Sequence, residues 1–154
     1  METKINYANI IKDFRGKYYF LSNFSPSKIE YDGYTYENAE AAFHAQKNSS
    51  TFYKHMMQFQ DASMAKKEGR RIRLREDWEE VKDSIMYEVV KAKFTQNKLL
   101  REELLATKDM VLIEGNTWHD NYWGVCSCNR CKNKIHVSSN NLGKILMKVR
   151  EELR

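Results

Sequence analysis

The amino-acid sequence predicts an α+β fold, predominantly helical, forming a single domain over residues 1–154 with a small antiparallel β-sheet. Three observations carry that expectation. An aromatic stretch near the N-terminus contains an Asp-Gly turn between two alternating runs. Several later segments repeat their apolar residues at helical spacing. One continuous apolar run, "MVLIEG", has the length of a strand. Elements of these two kinds, unevenly distributed along a chain of 154 residues, fit one α+β domain with a real core.

Taken in chain order, "KYYFLSNFSPSKIEYDGYTYE" reads as short strands, with Asp32-Gly33 as the hairpin turn between "KIEY" and "YTYE". Asn38 is placed to cap a helix over "AEAAFHAQK", which is rich in helix formers and has no breaker. "STFYKHMMQF" and "DASMAKKEG" read as short helices, the second capped by Asp61 and stopped near Gly69. The clearest helix is "REDWEEVKDSIMYEVVKAKFTQN". Asp77 is its N-cap, Glu80 completes a capping-box pair, and Val81, Ile85, Met86, Val89 and Phe94 form the buried stripe. "NKLLREELLATKD" is a further helix. In the last segment, "NNLGKILMKVREELR", Leu142, Ile145, Leu146, Val149 and Leu153 share one helical face.

Composition narrows the function classes. With 42% hydrophobic and 12% aromatic residues the chain is folded rather than disordered. No apolar run approaches membrane-spanning length and "METKINYANI" lacks a signal-peptide core, so a cytoplasmic protein with no membrane partner is expected. The net charge of +5 suits a phosphate-bearing or nucleic-acid partner without selecting one. Walker, HExxH and GxSxG motifs are absent from the sequence, which argues against several large enzyme classes.

Three clusters carry chemistry. Glu40, His44 and Lys47 fall at i, i+4 and i+7, one stripe of a helix. Such a stripe is commonly a solvated face, but Ala39, Ala41, Ala42, Phe43 and Ala45 surround it. A helix apolar on most sides is buried, and buried ionisable groups must pair or shift their pKa. Arg70, Arg71, Arg73 and Arg75 crowd a helix N-terminus, a combination suited either to phosphate or to a solvated basic run. "GNTWHDNYWG" gathers aromatics that can stack a base and an aspartate, Asp120, that can orient a hydroxyl or a water. Separately, Cys126, Cys128 and Cys131 in "CSCNRC" are either a thiol-bearing loop in a reducing compartment or, with His136, four zinc ligands. Only Cys128 and Cys131 have the usual pair spacing.

The segments "YYFLSNFSP", "YENAEAAFHAQK", "AKKEGR", "REDWEEVKDSIMYEVVKAKFTQN", "LLAT", "LIEGNTWHDNYWG" and "NNLGKILMKVREEL" resemble, in order, those of the NADAR (YbiA-like) family, from about Lys17 to the C-terminus. The resemblance implies an N-glycosidase that needs no cofactor and no metal. Its substrate would be ADP-ribosylated guanine in DNA, in functional pairing with a DNA ADP-ribosyltransferase toxin. The alternative is a small phosphoribosylamino-pyrimidine intermediate of riboflavin synthesis. In both, the bond cut joins ribose C1 to an exocyclic amine. By the same resemblance Glu40, Lys47 and Asp120 are catalytic. Asn23, Phe24, Trp78, Arg70, Arg73, Tyr122 and Trp123 contact substrate. Lys47 is a candidate for a Schiff base with the opened sugar. This sequence has Ala41 and Ala42 where other family members carry larger residues, and the "CSCNRC" loop where they are often glycine-rich. A non-catalytic ADP-ribose or nucleotide reader and a zinc-stabilised interaction domain are the readings of another class. A reader has no use for a nucleophile at Lys47.

Overall fold

The computed structural model describes residues 9–154, apart from the side chains of residues 134–136. The described residues begin with β1 (Ile10–Ile11), a 3-10 helix (Gly16–Leu21), β2 (Pro26–Tyr31) and β3 (Tyr34–Asn38). Five helices follow: α1 (Ala39–Ala45), α2 (Thr51–Met57), α3 (Ala62–Arg71), α4 (Trp78–Gln96) and α5 (Lys98–Ala106). Then come β4 (Val111–Leu112), β5 (Gly115–Asn116), β6 (Val125–Cys126), a second 3-10 helix (Lys132–Val137) and α6 (Asn141–Glu152). The fold is α+β, as the sequence predicts. No helix among the described residues is long and apolar enough to cross a membrane.

The hairpin β2–β3 is antiparallel, with Ile29 opposite Tyr36 and Tyr31 opposite Tyr34. Asp32 and Gly33 both have positive φ, 51° and 84°, as a two-residue turn matched to the twist of its strands requires. Ile29 and Tyr36 are fully buried, so the hairpin turns one face to the core. Two further pairings, β1 with β4 and β5 with β6, are parallel and two residues long each. The single antiparallel sheet of the sequence-based expectation is thus joined by two short parallel ribbons. They link segments about a hundred and about ten residues apart, and periodicity carries no signal for such brief pairings.

Helix α4 is the axis of the molecule. It packs against α1, α5, α6 and β2, and Ile85, Met86, Val89, Val90 and Phe94 are buried on it. Val81 lies half-buried at the edge of that stripe. On α6, Leu142, Leu146 and Val149 are buried, with Leu153 just past its end. Asn38 caps α1, its Oδ1 accepting the Ala41 N–H at 2.7 Å, while its Nδ2 donates to the Gln60 carbonyl at 3.1 Å. Asp61 caps α3 through the Met64 N–H at 2.8 Å.

Three local expectations are corrected. Helix α3 does not stop at Gly69 but runs on to Arg71, because Gly69 serves packing rather than termination. Asp77 makes no side-chain cap; its carboxylate is held by Arg75, Nε at 2.6 Å and Nη2 at 2.9 Å. Residues 16–21 form a 3-10 helix instead of a strand. The carbonyls of Phe20 and Ser22 turn to the ammonium of Lys93, which donates to them at 2.7 and 2.9 Å and to Ser25 Oγ at 3.0 Å. Lys93 is 1% exposed, so it is enclosed with three oxygen acceptors for three N–H donors. Burial pushes its pKa down to about 7, and the Glu114 charge opposes that shift.

Candidate active site

A cavity of about 530 Å³ opens between α1, α3, α4, the turn after the first 3-10 helix and the segment joining β4 to β6. Its floor is aromatic. The Phe43 ring lies 5.1 Å from Trp78 and 5.5 Å from Trp123, the latter edge-to-face. Helix α1 enters this cavity because its first turn is tied down. Asn38 caps it, and the Glu40 N–H donates to the Asn23 carbonyl at 3.0 Å. That bond also places Asn23 and Phe24 on the cavity wall.

Glu40, His44 and Lys47 all line the cavity. His44 Nε2 and Glu40 Oε1 are 2.7 Å apart, with side chains 8% and 13% exposed. His44 Nδ1 is buried and has no hydrogen-bond partner among the described residues. It faces Gly69, where an added Cβ would lie 2.1 Å from Nδ1. The hydrogen therefore sits on Nε2, and the ring donates to the Glu40 carboxylate. Lys47 Nζ donates to the Gly69 carbonyl at 3.1 Å and lies 5.8 Å from the centroid of the Trp78 ring. Burial lowers the pKa of Lys47, the Glu40 charge raises it, and Arg70 and Lys82 lower it further.

Glu114, just after β4, lines the same cavity. Its Oε2 is buried without a hydrogen-bond partner among the described residues. Burial, reinforced by the charges of Asp120 and Glu40 and opposed by Lys66 and Lys93, raises its pKa to about 8. A carboxyl in that state carries a proton at neutral pH and can deliver it. Asp120 also reaches the cavity, but its Oδ1 is engaged by the N–H groups of Tyr122 (3.1 Å) and Trp123 (2.9 Å). Asn116 closes the same loop by accepting from Trp118 N and Asp120 N and donating to the Asp120 carbonyl at 2.7 Å. Asp120 thus sets the Tyr122–Trp123 turn as well as facing the cavity. Arg15, Lys66, Arg70 and Lys82 add positive charge to the cavity lining.

The structure brings together eight of the ten residues singled out in the sequence: Asn23, Phe24, Glu40, Lys47, Arg70, Trp78, Asp120 and Trp123. Arg73 lies on the exposed segment after α3, away from the lining. Tyr122 is also outside it; its hydroxyl bonds Asp83 Oδ1 and its ring meets Trp123 edge-to-face. Sequence reasoning missed Glu114 and gave His44 no role. The i, i+4 spacing of Glu40 and His44 was the available signal for the histidine. For Glu114, inside an apolar run, there was none.

Comparison with known proteins identifies relatives along nearly the whole chain. The NADAR domain model matches residues 11–154. N-glycosidase YbiA of Escherichia coli (strain K12) is 35% identical over 155 residues, covering 99% of this chain and 89% of the relative. The NMR structure of the E. coli protein YbiA superimposes with a TM-score of 0.75, covering 94% of this chain and 85% of that one. A riboflavin biosynthesis protein of Vibrio vulnificus is 33% identical over 138 residues, 88% of this chain but only 35% of that protein.

Proposed function

The chain belongs to the NADAR family and is an N-glycosidase, and from that premise we propose that Lys47 opens the glycosidic bond of a phosphorylated ribosylamino-heterocycle by covalent catalysis. The observation that carries this reading is one cavity holding an amine of lowered pKa, a histidine-bound carboxylate and a second carboxyl kept protonated. Burial raises the neutral fraction of Lys47, the form that can attack. Its lone pair bonds to ribose C1, and the C1–N electrons leave with the exocyclic amine, which takes the Glu114 proton. Glu40, oriented by His44, stabilises the positive charge that builds at C1 and accepts the proton lost from the attacking nitrogen. The ring oxygen leaves as a hydroxyl, giving an imine to Lys47, and water then releases the sugar. Trp78 and Phe43 offer apolar faces for the heterocycle, and Arg70, Lys66 and Arg15 suit the phosphate.

For the substrate, a small phosphoribosylamino-pyrimidine of riboflavin synthesis is favoured. The cavity volume is of small-molecule size, and a relative carries the riboflavin name. ADP-ribosylated guanine in DNA, with a DNA ADP-ribosyltransferase as functional partner, is the second reading. It draws on Trp118, 49% exposed on the cavity lining with Lys66 Nζ 5.2 Å from its ring, a place where a flanking base could stack and a phosphate pair.

Borohydride added during turnover should trap a protein–sugar adduct at Lys47, and Lys47→Ala should abolish it. Turnover by the wild type with no adduct would remove the covalent step. Parallel assays of the pyrimidine intermediate and of ADP-ribosyl-guanine DNA decide between the substrates by their ratio of kcat/KM.

A further inference from the structure

Away from the cavity lining, four potential metal ligands converge from two segments. His119 lies between β5 and β6, Cys126 ends β6, and Cys128 and Cys131 occupy the turn that follows. Their ligand atoms all lie within 4.8 Å of one another. His119 Nδ1 is 3.3 Å from Cys128 Sγ and 3.4 Å from Cys131 Sγ. A tetrahedral zinc ion with Zn–S near ~2.3 Å and Zn–N near ~2.0 Å separates its N and S ligands by about 3.5 Å. The cluster is already close to that size.

The backbone is arranged around the sulfurs. The His119 N–H donates to Cys126 Sγ at 3.3 Å. The Cys128–Cys131 turn is closed by N–H donation from Cys131 (3.1 Å) and Lys132 (2.8 Å) to the Cys128 carbonyl. His119 has a φ of +71°, a left-handed conformation rare for a side chain of its kind, and that conformation accompanies its ring facing the thiols. Cys126 and Cys131 are buried and all three thiols are free.

We infer that His119, Cys126, Cys128 and Cys131 form a closed, four-ligand site for a thiophilic divalent ion of the zinc class. The three thiols and the imidazole give any displaced protons to solvent, and no position is left open for a substrate, so the ion is structural. It ties the loop bearing Trp118, Asp120 and Trp123 to the turn after β6 and so stiffens one wall of the cavity. His136, the fourth ligand suggested by the sequence, has a side chain outside the described residues. His119 takes that place.

The test uses the full chain purified under reducing conditions. Elemental analysis should give about one zinc per chain, and the stripped protein titrated with cobalt(II) should show the visible absorption of a tetrahedral thiolate site. His119→Ala should weaken zinc binding about 100-fold, while His136→Ala should leave it within about twofold. Failure of the wild-type protein, its three thiols reduced, to bind either ion would overturn the site. So would three-thiol binding that is lost in His136→Ala and kept in His119→Ala. Because cobalt is read on the wild type, the result does not depend on any variant folding.

Discussion

Glu114 is the residue whose surroundings change its chemistry most within the cavity. Its carboxyl is buried beside two other acids and keeps its proton up to about pH 8. If it protonates the departing amine, kcat/KM should fall about tenfold per pH unit above that value. Glu114→Gln should lose that limb and lower kcat by about 100-fold or more, as loss of a general acid does. The same proton has a stability consequence. The folded chain holds it up to about 8, whereas the unfolded chain releases it near the ordinary carboxyl value of 4.5. Stability is therefore fully present below the lower value and declines as pH rises towards the upper one. Urea melts of wild type and Glu114→Gln across that range should differ in slope against pH. Glu40 and Lys47 were legible in the sequence through helical spacing and family resemblance. Glu114 was not, because its burial depends on chain that arrives later: Gly124 packs so closely that a Cβ there would lie 2.0 Å from the Glu114 carbonyl oxygen.

Among the elements, the contact of α1 with α3 sets the position of the Glu40–His44–Lys47 stripe. It is tight at Gly69, which carries both the surface facing His44 and the carbonyl that binds Lys47. Gly69→Ala should cost about 1–3 kcal/mol of stability by overpacking. It should also lower kcat more than it raises KM, since His44 is pushed off Glu40; equal activity in kinetic assays would refute that coupling. Lys93 on α4 has a comparable task for the turn bearing Asn23 and Phe24. Lys93→Met should remove the ammonium shared by the Phe20 and Ser22 carbonyls, leave them Ser25 as donor, cost about 1–3 kcal/mol in chemical denaturation, and raise KM. The helices and the hairpin could be read from periodicity, capping residues and the Asp-Gly turn. The 3-10 helix and the parallel ribbons could not, because both are held by partners remote in sequence. Gly69 shows the same limit in reverse: a glycine that locally resembles a helix stop is fixed by a neighbouring helix.

At the scale of the molecule, the net charge of +5 is focused where it can act, since Arg15, Lys66, Arg70 and Lys82 line one cavity. Raising ionic strength from about 0.05 to 0.5 M should raise KM for a phosphorylated substrate several-fold and leave kcat nearly unchanged, because screening acts on exposed charges before it reaches the buried Lys47. A salt-independent KM in steady-state assays would remove the cationic lining from substrate binding. The cavity also depends on the last helix. Leu142 at the start of α6 lines it, and the Leu142 N–H donates to the Trp123 carbonyl at 3.0 Å. Side chains from Phe14 to Leu142 must therefore be in place together. During synthesis on the ribosome, a chain that has emerged only as far as Trp123 lacks part of this chamber, which closes only when α6 has emerged and docked.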